Sequence, residues 1–557
     1  MKQSVVRGVG IMMAATIVSR LLGYVRDYLI GSTFGTTGHT DAFWAAFGVP
    51  DLLYYLLAGG ALGAAFIPVL TDYLTQGDDA EAWRVADTIA TVILIASALG
   101  VAVIEIFAPS LVFVVVPGLR LKPQIYGECV FFVRIMAPMV FGTTLSALSS
   151  AILQSYRHFT APAVAWLIYN IGIIFGAVVI VPHLHSADPR QRMVGLCVGV
   201  LIGAFLMVAA QLPALIRRGL RYRPRLDLGH PGVRLAAAMF IPIMAGLAVS
   251  QLSLLWFPYF FGSFFSGHQA GVITVIRYAS RLIILPLGLF GVTISTAVFP
   301  ALAERATLQQ LDGVRSGCRD AIRAVSVMAI PSSIGLFVLA GPIIRLLWRG
   351  GEFGPAGVAA SGFVLLFYAP GLMGLAAMQV VNRGFYAVKD RWTPPAIGVG
   401  YVALSVVLTL YLMRLPVGYG AIGLAASVAW LVGFGVSLPL LRRRLGGMGL
   451  RGLVASLARI LLASLVMGVV VWYVSHRLGM VLRVPATEFR WIAPDMDAIR
   501  RADAAGLLPH ISRFKTLVQV VLAMAAGAIA YVAALAALRA PELQVVRRAV
   551  VSRLRRR

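Results

Sequence analysis

Long apolar stretches separated by short polar segments run along the whole chain. A helix needs about 20 apolar residues to cross the hydrocarbon core of a bilayer, and about 14 stretches are long enough. Proline at positions 50, 138, 286 and 331 falls inside these stretches and predicts kinks, because it removes an intrahelical hydrogen bond. The predicted spans are 9–33, 41–71, 86–116, 125–155, 162–182, 193–216, 234–262, 270–303, 321–345, 357–386, 395–413, 421–441, 452–475 and 516–538.

Composition supports a membrane protein and excludes an ordinary soluble domain. Of the 557 residues, 59% are hydrophobic and 13% are charged, whereas soluble domains carry about 25% charged residues. The net charge of +26 indicates membrane orientation rather than nucleic-acid binding, because the basic residues concentrate in alternate loops. With an even number of spans, this bias predicts that both termini are cytoplasmic.

An internal repeat predicts how the spans are grouped. The Thr160-Ala-Pro-Ala segment recurs as Thr393-Pro-Pro-Ala, and three shorter matches follow the same order at nearly the same separation. A unit of six spans gives two halves of parallel topology, an arrangement typical of transporters. We therefore expect an N-lobe at 1–230 and a C-lobe at 231–445. Two added spans at 446–557 would carry an external insertion at about 476–515, mainly a solvated loop with a short helix from Pro494, and a basic cytoplasmic tail.

Arginines inside the spans are the main functional candidates, because a charge at mid-membrane depth is costly. Arg20 and Arg26 lie in span 1, and Arg281 lies in span 8. These guanidinium groups could line a cavity between the lobes and bind an anion, or they could pair with Asp27 and Asp41 and hold helices together. Spacing leaves both interpretations open, and it favours a structural role for the two aspartates.

No motif indicates catalysis, a cofactor or a metal. The three cysteines form no CxxC pair, and His183 and His185 have no carboxylate or cysteine cluster around them. We predict that the chain is a transporter and not an enzyme, without cofactor, metal or nucleic-acid partner. A membrane enzyme acting on polyprenyl phosphates would need clustered Asp, His or Glu at one membrane face.

Several short motifs resemble the MurJ/MviN lipid II flippase family of the multidrug/oligosaccharidyl-lipid/polysaccharide exporter superfamily. The resemblance extends over about residues 5–440, and its N-terminal block is the most specific part. The motifs are SRLLGYVRD at 19–27, FG at 34–35, TDAF at 40–43, AFIP at 65–68, RLIILPLG at 281–288, IPS at 330–332 and RGGEF at 349–353.

The resemblance implies a function and a location. Such proteins move a lipid-linked peptidoglycan precursor from the inner to the outer leaflet of the bacterial cytoplasmic membrane. Carried over by motif, the residues that would bind the substrate are Arg20, Arg26, Arg281 and Ser19. The cavity and its gate would be shaped by Asp27 and Asp41. Spans 13 and 14 would hold the lipid tail, membrane lipids would surround the protein, and cell-wall synthesis machinery would be a further partner.

Span 2 departs from the family pattern. Basic residues common in the family are replaced by Gly48 and by Tyr54 and Tyr55, and a common acidic position is Gly59. These departures support one alternative, a flippase for another polyprenyl-diphosphate-linked saccharide. A second alternative is a cation-coupled drug exporter of the same superfamily, which predicts carboxylates in the core of the N-lobe and less need for three arginines.

Overall fold

The computed structural model describes residues 2–59, 61–251, 256–485, 492–509 and 511–540. Over these ranges the chain is helical, and the β pairing found there is a single isolated bridge between Gly350 and Phe353. The all-α fold class is confirmed. Packing divides the chain into two units, Met1–Thr274 with Gly350–Phe353, and Val275–Arg349 with Gly354–Arg557.

The helices of unit 1 enclose a core of large apolar side chains that includes Phe43, Trp44, Phe132 and Met136. Within this unit α2 packs on α5 and α7 packs on both α1 and α9. The helices are α1 Lys2–Phe34, α2 Gly38–Leu57, α3 Ala61–Thr75, α4 Asp79–Val115, α5 Pro123–Met136, α6 Met139–Ser155, α7 Thr160–Phe175, α8 Val181–His183, α9 Pro189–Ala209, α10 Leu212–Ile216, α11 Pro231–Gln251 and α12 Phe257–His268.

In unit 2, α21 packs along α23 and also on α15. Met467, Val471 and Tyr531 form the buried seam, and the Tyr531 hydroxyl donates to the carbonyl of Val327 at 2.9 Å. The helices are α13 Val272–Pro286, which begins in unit 1, then α14 Thr293–Thr307, α15 Leu311–Val338, α16 Ala340–Trp348, α17 Pro355–Tyr368, α18 Leu372–Ala387, α19 Thr393–Leu412, α20 Gly420–Leu445, α21 Leu450–Leu482, α22 Met496–Ala504 and α23 Arg513–Ala537.

Among the described residues, 11 helices are long and apolar enough to cross a membrane. The number rises to 12 if the bent pair of α5 and α6 counts as one span. The 11 helices coincide with predicted spans 2, 3, 5, 6 and 8–14, and the bent pair coincides with span 4. The chain is thus a polytopic helical membrane protein. Helices α1 and α11 lie where spans 1 and 7 are predicted but are not among these 12, so the full set of fourteen spans and the three-part domain division stay predictions.

Two predicted spans are interrupted where the backbone loses hydrogen bonds. Span 4 bends by 42° between Met136 and Met139, because Pro138 has no N–H to donate to the preceding turn. Predicted span 9 ends early: α15 stops at Val338, and a separate short helix, α16, follows. Here the sequence prediction of one helix through residue 345 is wrong.

Helices α7 and α9 approach so closely that only glycine fits between them. A Cβ on Gly172 would lie 2.3 Å from the Cα of Gly203, and a Cβ on Gly176 would lie 2.7 Å from that of Gly199. Small residues allow such close contact between membrane helices. This contact fixes the position of α7, which packs against α1.

Candidate functional site

The buried polar site of unit 1 centres on an ion pair within α1. The Nε and Nη2 atoms of Arg26 donate to Oδ1 of Asp27 at 2.8 and 2.6 Å. The two side chains are 7% and 3% exposed. Charged groups this deeply buried are normally paired, so of the two aspartates considered from sequence it is Asp27 that neutralises Arg26.

A third side chain, Asn170 on α7, connects this pair to the neighbouring helix. Its Oδ1 accepts from Nη1 of Arg26 at 3.2 Å, and its Nδ2 donates to Oγ of Ser19 at 3.3 Å and to the carbonyl of Trp166 at 2.9 Å. Sequence reasoning missed Asn170, although a lone asparagine inside the apolar stretch 162–182 was a visible signal. Ser19, Arg26 and Asp27 are thereby brought together in one hydrogen-bonded network.

Arg20 lies on the same helix outside this network. Its side chain is partly exposed, and it makes no hydrogen bond or ion pair with the part of the chain that the structure describes. Its guanidinium group is therefore available to an anion without first breaking an internal contact. Among the arginines predicted for α1, Arg20 is the one with unused donors.

Asp41, at the start of α2, binds the N-terminal end of another helix. Its Oδ2 accepts from Oγ of Ser266 at 2.7 Å and from the backbone N–H of Gly271 at 2.8 Å. Its Oδ1 accepts from the N–H and hydroxyl of Thr274 at 2.8 and 2.7 Å. A carboxylate is stabilised at a helix N-terminus, where backbone N–H groups are unsatisfied. Asp41 thus holds the first turn of α13 and has no arginine of α1 among its partners.

The remaining predicted arginine, Arg281, lies further along α13 in unit 2. Its side chain is partly exposed, as is that of Arg277 one turn earlier. The helix continues past Pro286 into a π-helical segment at Leu287–Val292. The substrate-binding role of Arg281 stays a prediction.

Aromatic and small residues occupy the span 2 positions where the family pattern has charges. The rings of Tyr54 and Tyr55 lie 5.2 Å apart, and Tyr54 meets Trp166 edge to face at 6.4 Å. A Cβ on Gly59 would lie 2.6 Å from the Cα of Tyr55. A larger residue at position 59 would require the backbone between α2 and α3 to shift.

Over the described ranges, no group of three His, Cys, Asp or Glu side chains could hold a metal ion. The site is therefore built from guanidinium, carboxylate, amide and hydroxyl groups. Such groups can bind and orient an anionic ligand through charge-assisted hydrogen bonds.

Comparison with solved structures identifies the class of protein. The fold is similar to that of the structure titled "Lipid II flippase MurJ, inward closed conformation", with a TM-score of 0.72, 22% identity, and coverage of 95% of this chain and 99% of the other. It is also similar to an inward-facing multidrug resistance MATE family transporter of the MOP superfamily, with a TM-score of 0.63, 14% identity, and coverage of 77% and 94%. The chain therefore shares the all-α polytopic fold of these two membrane proteins.

Sequence comparison identifies the family. The family model described as "Lipid II flippase MurJ" matches residues 30–485. The probable lipid II flippase MurJ of Vibrio cholerae is 33% identical over 476 residues, covering 83% of this chain and 88% of that protein. The lipid II flippase MurJ of Burkholderia cenocepacia is 32% identical over 419 residues, covering 74% and 79%. The chain belongs to the MurJ lipid II flippase family. Members of this family are transmembrane transporters that act in peptidoglycan synthesis, and they are not enzymes.

Proposed function

We propose that this chain translocates lipid II from the inner to the outer leaflet of the bacterial cytoplasmic membrane by alternating access. The diphosphate is bound by Arg20, Arg26 and Arg281, and both termini are cytoplasmic. The observation that carries the proposal is the guanidinium of Arg20, which makes no hydrogen bond or ion pair among the described residues and lies on the same helix as the Arg26–Asp27 pair.

The polar residues of α1 have different roles in binding the diphosphate. Arg26 and Asp27 neutralise each other, so the pair adds little net charge, and Arg20 supplies the uncompensated positive charge of this helix. The planar guanidinium fork of arginine matches phosphate oxygens. Ser19 and Arg26 hold their positions through Asn170, so donors near the ligand need little reorganisation on binding.

The acidic residues and the last two helices have supporting roles in this proposal. Asp27 orients Arg26, and Asp41 shapes the gate by anchoring the first turn of α13. The packed pair α21 and α23 supports the lipid tail, which stays in hydrocarbon while the headgroup crosses. This division keeps the tail out of water and the diphosphate out of lipid.

The test is lipid II sidedness in bacteria depleted of their own flippase and supplied with this chain. A periplasmic enzyme that cleaves only outward-facing lipid II provides the signal. We expect cleavage with the wild-type chain and none with Arg20→Ala, which removes no hydrogen bond or ion pair among the described residues and should fold normally. The matched control is Arg134→Ala. Arg134 lies on α5, its side chain is 47% exposed, and its Nε is 4.0 Å from Oε2 of Glu105, so it is at most weakly paired. Full cleavage with Arg20→Ala would contradict the assignment of the diphosphate to this residue.

A second candidate substrate is another polyprenyl-diphosphate-linked saccharide, favoured by the aromatic cluster of Tyr54, Tyr55 and Trp166 at the position of the family's span 2 charges. These aromatic side chains offer apolar faces, and they carry no charge that could pair with the carboxylates of a pentapeptide. In this case a well-expressed, membrane-inserted chain would fail in the lipid II assay yet still depend on Arg20 for moving the other glycolipid.

A further inference from the structure

Unit 2 contains a second polar feature, a cavity of about 320 Å³ that the family resemblance does not assign. It is bounded by α16, by one side of α17 from Pro355 to Leu366, and by the segment around α22. The volume lies at the lower end of the range of about 300–1,000 Å³ found for ligand pockets. None of the residues assigned above to lipid II binding lines it.

The external insertion builds one wall of this cavity. The predicted short helix is confirmed as α22, which packs on α17 instead of standing free in solvent. The segment before it is fastened at two points: the N–H of Ala493 donates to the carbonyl of Pro416 at 3.2 Å, and the hydroxyl of Tyr419 donates to that of Pro494 at 3.1 Å. Most residues of 492–509 are exposed or partly exposed, so the interpretation of the insertion as mainly a solvated loop stays a prediction.

The walls of the cavity are mostly apolar, and its charged groups are two arginines. Arg345 and Arg349 lie on or next to α16, one turn apart. The apolar lining comes from both the helices and the insertion, and it includes Val358, Phe363, Leu366, Pro485, Ile499 and Leu508. A ligand that fits this lining has an apolar body and a negative group at one end.

Arg345 is a buried cation without a carboxylate partner. It is 9% exposed, and its Nη1 donates to the carbonyl of Pro485 at 2.7 Å. Across the described ranges no acidic side chain pairs with it. Burial and then the neighbouring Arg349 lower its pKa to about 10, so it stays charged at neutral pH. Leaving a buried charge uncompensated is costly, and an anion beside it would recover that free energy.

The surroundings of Arg349 add to the positive charge. Burial lowers the pKa of its partly exposed side chain, and the charge of Asp503 opposes that effect. The backbone carbonyl of Arg349 accepts hydrogen bonds from Arg513, at 2.7 Å from Nε. Three arginines and one exposed aspartate therefore meet at this corner of unit 2.

We propose that this cavity binds an anionic lipid, with a phosphate ester held by Arg345 and Arg349 and the first carbons of its hydrocarbon chain against the apolar wall. Two guanidinium forks one helical turn apart suit the oxygens of a phosphate. A lipid is favoured over a free ion because α17 begins at this cavity and is itself part of a candidate span, Pro355–Ala387. With the orientation proposed above, the site lies at the outer surface of the membrane.

The binding test uses the purified full-length protein and native mass spectrometry. The probes are phosphatidylglycerol, a polyprenyl monophosphate, phosphatidylcholine and inorganic phosphate. We expect at least one of the two anionic lipids to bind, and we expect Arg349→Gln to weaken binding about tenfold or more, as for the loss of one charged hydrogen bond. Ala359→Phe, which places a ring in the cavity, should abolish this binding. Arg414→Gln, an exposed arginine that does not line the cavity, is the matched control and should bind as wild type does.

Each outcome decides the proposal. Preference for phosphatidylglycerol identifies a membrane lipid as the source, and preference for polyprenyl phosphate identifies a carrier lipid. Equal binding of phosphatidylcholine, binding of inorganic phosphate alone, or wild-type binding by both Arg349→Gln and Ala359→Phe would overturn it. Because these variants leave Arg20 and Arg26 intact, lipid II translocation can succeed or fail independently of this result.

Discussion

Arg26 and Arg345 are two buried arginines in different units, and their charges are handled in opposite ways. They are 6% and 9% exposed. Arg26 has Asp27 at 2.6 Å, whereas Arg345 has a backbone carbonyl at 2.7 Å. A neutralised cation can offer a ligand only the N–H groups that its internal partners leave unused, whereas an uncompensated one retains its full charge for an external anion. Burial of an arginine therefore does not identify a ligand site; the partner does.

The largest effect should follow from breaking the compensated pair. Arg26→Ala leaves the Asp27 carboxylate buried without its cation, which typically costs about 3–5 kcal/mol of stability. We expect a clear fall in the unfolding midpoint of the purified protein in detergent, together with loss of lipid II translocation. Arg20→Ala should lose translocation alone, since Arg20 has no internal partner in the described structure.

The double variant Arg26→Ala/Asp27→Asn separates stability from function. It also removes the carboxylate charge that Arg26 neutralised, so we expect it to regain most of the lost stability while translocation stays absent. An unchanged midpoint in Arg26→Ala would show that the ion pair does not stabilise the protein, and the contrast with Arg345 would fail.

The opposite sign is expected for Arg345→Met. This change removes an uncompensated buried charge and gives up one hydrogen bond to a carbonyl, so it should raise stability by about 1–2 kcal/mol. The measurement is the unfolding midpoint in detergent without added anionic lipid, with Arg414→Met as the exposed control. A midpoint lowered as much as in Arg26→Ala would mean that Arg345 is compensated too.

Much of the fold was predictable, because span length and apolar composition are local properties of the chain. Helix boundaries shifted by several residues, and the break after Val338 was missed because the apolar character continues through α16. Pro138 predicted its bend correctly, whereas Pro50 and Pro331 lie within helices that continue past them.

The partners of the site residues were much less predictable. Asp27 adjoins Arg26 in sequence and was one of two named options. Asn170 lies on α7, and the sequence alone does not specify which side of α7 packs against α1. The partners of Asp41 lie at 266–274, far from it along the chain. The cavity around Arg345 depends on how a loop folds back, which apolar patterning does not encode.

The smallest effect concerns the ion pair of Asp390 and Arg444, in which the Arg444 side chain is largely in solvent and the Asp390 side chain is largely covered. Asp390 accepts from the N–H and hydroxyl of Thr393 at 3.1 and 2.8 Å and lies 3.3 Å from Arg444, which is 62% exposed. Partial burial acts to raise the pKa of Asp390, but these hydrogen bonds and Arg444 outweigh it and hold the pKa below its ordinary value of 3.8.

Because the pKa is lower in the folded state, the stabilisation is complete above the ordinary value and is lost as pH falls through the folded one. We expect a loss of about 0.5 kcal/mol, since an ion pair with one partner in solvent contributes little. Unfolding measured at descending pH should show a slightly smaller acid-induced loss in Asp390→Asn than in wild type. The loss of stability that depends on Asp390 at low pH should stay well below the loss caused by Arg26→Ala. If the two losses were equal, solvent exposure would not separate weak from strong charge pairs in this protein.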